Sequence, residues 1–70
     1  MIADEIIAIL ADNPQGLKVS VIAHTLEPRA CGARLEELFF IVDRECTKLV
    51  FKGTLARDVA DGEPLYRMVI

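Results

Sequence analysis

The sequence predicts an α+β fold in which three helices precede a C-terminal β-hairpin. Three observations lead there. Apolar residues recur at helical spacing over residues 2–10 and again over 31–46. A tight turn at Glu27-Pro28-Arg29 joins a short helix to a long one, and two helices joined so closely must cross steeply. After Cys46, β-branched and aromatic residues take over in two stretches separated by Asp, Gly and Pro.

At 70 residues there is room for one domain, 1–70. A chain this short buries roughly 60% of the surface its unfolded form exposes, which sustains one core. The hydrophobic fraction of 53% excludes a disordered chain. Net charge is -3, the opposite of the basic balance expected of a small nucleic-acid binder. Lys18 stands against Asp4, Glu5, Asp12 and Glu27 in the first part of the chain, so most of the acidity lies there. The segment after Cys46 is the least acidic, with Lys48, Lys52, Arg57 and Arg67 against Asp58, Asp61 and Glu63.

In the first helix, apolar residues fall at Ile2, Ile6, Ile9 and Leu10, while Asp4 and Glu5 suit the positive end of the helix dipole. Asp12-Asn13-Pro14-Gln15-Gly16 stops it, because Pro14 cannot continue a helix. Leu17-Lys18-Val19 is a brief extended segment, and Ser20 is positioned to cap a second helix, Val21 to Leu26. Val21, Ile22 and Leu26 are its core candidates. The third helix runs from about Ala30 to Cys46, its stripe made of Cys31, Leu35, Leu38, Phe39, Val42 and Cys46. Gly32 weakens that helix by about 1 kcal/mol. Two accounts offset this cost: close approach of another backbone, or room for a phosphate or partner. Phe40 and Ile41 lie off the stripe and imply either burial on several sides or a self-association surface. Thr47 to Ala56 reads as a strand with a bulge or bend at Gly53. Arg57 to Pro64 is a long connection, and Leu65 to Ile70 a second strand with Tyr66, Met68 and Ile70 on one apolar face.

Catalytic chemistry is not evident. Adjacent Glu36 and Glu37 point about 100° apart on a helix and form a solvated face rather than an acid–base pair. His24 reads as a solvated side chain, with a phosphate or base contact as the alternative, and the glycines match no phosphate loop. Cys31 and Cys46, roughly 22 Å apart on one helix, cannot bridge, and two cysteines without CxxC spacing do not make a zinc site. Both read as buried thiols. No catalytic residue, metal or cofactor is therefore expected. The absence of a charged start with an apolar core, or of an apolar run near 20 residues, points to a cytoplasmic protein with no membrane association.

Leu17 to Leu26, read with Arg34-Leu35-Glu36-Glu37-Leu38 and with Gly62-Glu63-Pro64-Leu65-Tyr66-Arg67, resembles the winged helix-turn-helix family. The likeness covers nearly all of the chain but is generic, because these motifs specify packing and caps. It implies that the third helix enters a major groove, the Ser20 end of the second helix meets phosphate, and the wing touches adjacent backbone. Carried over by position, the resemblance nominates Ser20, Thr25, Arg29, Arg34, Lys52 and Arg57 as DNA-binding residues. Ala30 and Ala33 depart from that pattern, since neither hydrogen-bonds a base, and Glu37 repels phosphate. The arginines have an alternative as solvated groups or partners of Glu27 or Glu37.

Two functions follow. The first is a non-enzymatic transcriptional regulator that binds double-stranded DNA, as a homodimer summing two weak half-sites. The second is a module that binds protein through Phe40, Ile41 and the wing, without DNA.

Overall fold

A computed structural model describes residues 1–69 of the chain. The elements run α1 (Ile2–Ala11), β1 (Leu17–Lys18), α2 (Val19–Leu26), α3 (Gly32–Phe51), β2 (Leu55–Ala60) and β3 (Glu63–Met68). The strands form an antiparallel sheet in the order β1-β3-β2, so the wing hairpin is anchored through β1 to the segment that leads into α2.

One apolar core joins all three helices to the sheet. Ile6 and Leu10 come from α1, Ile22 and Ala23 from α2, Leu38, Val42, Cys46 and Leu49 from α3, and Leu55 and Tyr66 from the strands. Leu35 and Phe39 pack partly against it. The α1 reading holds in position and in its two buried residues, with Asp4 and Glu5 in the first turn.

Several boundaries differ from expectation. Helix α2 begins at Val19, with Lys18 as its N-cap residue and no side-chain capping bond. Ser20 therefore lies inside the first turn and is not the cap. Val21 is 42% exposed and does not join the core. Helix α3 starts at Gly32 and continues five residues beyond Cys46, because Leu49 extends the buried stripe at helical spacing. Thr47 is β-branched but settles in the helix by donating its hydroxyl to the Asp43 carbonyl at 2.7 Å. Cys31 is the residue before α3 and is exposed, so only Cys46 is a buried thiol. Nothing stands within 4 Å of where a Gly32 side chain would begin; φ of +57° explains the glycine, not a close backbone. Gly53 is not a bulge: it lies in the turn after α3, donating to the Val50 carbonyl at 3.0 Å.

The expected long connection is mostly strand. Positions 57–60 and 63–64 pair in the ladder, leaving only Asp61-Gly62 as the turn. Both have positive φ, +53° and +79°, the pattern of a tight type I′ hairpin. The last strand ends at Met68, and the Ile70 part of the predicted strand lies outside the described residues.

Candidate interaction surface

The residues nominated for DNA are spread over α2, the turn after it, both ends of α3 and the wing. Arg29 lies in the α2–α3 turn and Arg34 in the first turns of α3, whereas Lys52 caps the far end of that helix. Eighteen residues at 1.5 Å each separate Arg34 from Lys52 by about 27 Å along the axis.

Arg34 is committed elsewhere. Its Nε donates to Glu27 Oε1 at 3.0 Å, its Nη2 pairs with Glu27 Oε2, and its Nη1 donates to Glu37 Oε1 at 3.0 Å. The bond from Arg34 holds the Glu27 carboxyl below its ordinary range, and the same bond holds the guanidinium proton more tightly. One cation thus sits between two carboxylates at the start of α3, the alternative the sequence left open for the arginines. Thr25 donates its hydroxyl to the Val21 carbonyl at 2.8 Å, a bond inside its own helix. Arg57 lies over the Tyr66 ring, 5.9 Å from its centroid.

The wing tip is acidic and tied down. Lys18 Nζ donates to Asp61 Oδ2 at 2.7 Å, which raises the lysine pKa and lowers that of the aspartate. Behind the tip, Arg67 lies 3.5 Å from Asp58. Two of the cations beside the wing turn, Lys18 and Arg67, are therefore spent on its own carboxylates, and Glu63 has no ion pair among the described residues.

Between the wing and α3 lies an apolar cleft of about 210 Å³. Val19 and Ser20 reach it from the start of α2, Phe39, Phe40 and Asp43 from α3, and Glu63 and Pro64 from β3. Ser20, nominated for phosphate, is thus in a cleft whose charged groups are both carboxylates. Phe40 is 79% exposed at its lip, and Ile41, nominated with it, is half-buried. Val59 is opposite Pro64 in the ladder and is 72% exposed, which extends the apolar surface along the wing.

A polar latch fixes the two walls. Tyr66, buried at the base of the wing, donates its hydroxyl to Asp43 Oδ1 at 2.7 Å. Burial is the main reason its phenol pKa is raised. The sequence reading passed over Val19, Asp43, Glu63 and Pro64. Asp61-Gly62 was the signal that would have found the wing side, since that dipeptide sets a register placing Pro64 and Tyr66 on one face.

Three helices followed by a hairpin, with a short strand before the second helix completing the sheet, are the winged-helix layout. Comparison of this chain with family models, with curated proteins and with solved structures gave no match. No helix among the described residues is long and apolar enough to cross a membrane.

Proposed function

We propose that this chain is a winged-helix domain of the helix-turn-helix family that works as a non-enzymatic protein-interaction module, taking a segment of another protein into the cleft between α3 and the wing. The observation that carries this reading is Phe40. A large aromatic side chain, 79% exposed, stands on the helix that a DNA-binding relative would lay in the groove. Aromatic residues at the lip of an apolar depression are the usual anchors of protein interfaces. The same helix offers phosphate little, because Arg34 is engaged by Glu27 and Glu37. The cleft is also smaller than the roughly 300 to 1,000 Å³ of small-molecule sites, and suits one or two apolar side chains.

The test is selection of displayed random peptides on the folded domain, counter-selected on Phe40→Ala. Because Phe40 is exposed, this substitution changes stability by less than about 0.5 kcal/mol. Peptides retained by the wild type and lost by the variant support the reading, and a selection that yields none sinks it.

A second reading, a cytoplasmic DNA-binding regulator acting as a dimer, is favoured by one observation. Arg29, Arg44, Lys52 and Arg57 have no ion pair among the described residues and remain open to phosphate. Retention on duplex DNA that weakens steeply with added salt supports it.

A further inference from the structure

We infer that the segment the cleft accepts carries an apolar anchor flanked by lysine or arginine. This rests on the protein-binding reading above and adds the chemistry of the partner.

The argument is one of charge. Glu36, Phe40 and Asp43 are spaced i, i+4, i+7 and share one face of α3, so a carboxylate lies on either side of the exposed ring. Glu63 closes the opposite wall from the wing, and no cation lines the cleft. Of the neighbouring cations, Lys18 holds Asp61 on the wing tip and Arg34 lies between Glu27 and Glu37, while Arg44, one turn beyond Phe40, and Arg57, over the Tyr66 ring, have no ion pair among the described residues but do not line the cleft. Glu36 and Glu63 have no ion pair among the described residues, and the only bond to Asp43 from a side chain of the wing is neutral, from Tyr66. An apolar cleft whose only charged lining groups are the carboxylates of Asp43 and Glu63 selects an apolar side chain with a cation beside it.

The same charges argue against a second copy of this chain as the occupant. In a two-fold pair centred on Phe40, the patch meets itself. Each cleft then meets another whose lining charges, Asp43 and Glu63, have the same sign, which is disfavoured at an interface even though Glu36 can face Arg44 of the other copy. A cationic segment of a different protein removes that repulsion.

The test uses the Phe40-dependent peptides from a random displayed library, synthesised and titrated against wild type and against Glu36→Lys/Glu63→Lys. Both substituted residues lie outside the core and outside the Tyr66–Asp43 latch. Expected are peptides enriched in Lys or Arg beside an apolar residue, binding the doubly substituted domain about tenfold more weakly, with the difference shrinking as salt is added. Phe40-dependent peptides that lack cations and bind both proteins equally overturn the inference and leave the docking reading standing. Absence of any Phe40-dependent peptide overturns both. Concentration-dependent dimerisation that Phe40→Ala abolishes overturns the choice of a different protein over a second copy.

Discussion

Removing the Tyr66 hydroxyl with Tyr66→Phe tests how the wing is held to α3. The hydroxyl donates to the Asp43 carboxylate at 2.7 Å, while the Thr47 hydroxyl is 3.5 Å away and adds little. A hydrogen bond to a charged group nets about 1.5 to 3 kcal/mol. Asp43 is only half-buried and regains water when the phenol leaves, so the expected loss is about 1 to 2 kcal/mol. With an unfolding entropy of about 2.1 cal/mol/K per residue, a domain of this size then melts about 7 to 14 °C lower. Urea denaturation and calorimetry at neutral pH measure both quantities. Asp43→Ala completes a double-mutant cycle, in which a coupling of about 1 kcal/mol is expected. A Tyr66→Phe variant within about 0.3 kcal/mol of wild type, or additive single effects, refutes the latch.

Gly16→Ala tests the approach to the wing: at φ +90°, a Cβ lies 2.5 Å from Leu65 Cδ2 and 2.9 Å from the Tyr66 carbonyl oxygen. A loss of at least about 2 kcal/mol is expected from urea midpoints, and a neutral substitution contradicts the packing. Native alkylation at pH 8 is expected to modify Cys31 alone, since Cys31 is exposed while burial pushes the Cys46 thiol up to about 12; mass spectrometry reads one adduct when folded and two when unfolded. Glu27 and Asp61 are depressed in the folded state from ordinary values of 4.5 and 3.8, so their contributions are present above those values and disappear as pH falls through the folded pKa values. Lys18 is raised from 10.5, and its contribution persists below that value and is lost as pH rises beyond it. Denaturation midpoints are therefore expected to be flat from about pH 4.5 to 9, above which ionisation of Cys46 in the unfolded chain lowers stability, and Asp61→Asn should remove only the further decline assigned to Lys18.

The helical half of the fold was legible because its signals are local and periodic. Ile6, Leu10, Leu38 and Val42 fall on their stripes and are buried, as their spacing implies. Beyond the Ser20 cap and the exposure of Val21 and Cys31, the larger departure begins at Cys46, where β-branched Thr47 and Val50 argued for a strand by propensity while Leu49 argued for a longer helix by position. Tertiary burial decided for position. The wing was misread for a different reason. Arg57, Asp58 and Asp61 made a strand and its tight turn look like a loop, although Asp61-Gly62 carried the information. The candidate cleft was half legible. Phe40 could be singled out because it lies off the α3 stripe, but Pro64 and Glu63 reach it only through a hairpin register that the sequence reading did not assign. Arg34 illustrates the remaining gap, since its type and position suit phosphate and only the geometry shows Glu27 and Glu37 closing on it.

The central claim is that the face formed by α3 and the wing receives protein rather than phosphate. Its most direct test is an amide-shift titration of the labelled domain with random-sequence duplex DNA at low salt. The account predicts an unchanged spectrum across residues 29–44 and 55–68. Shifts confined to residues 29–37 and the wing, fading as salt is raised, would contradict it and establish this helix as a groove reader despite its carboxylates.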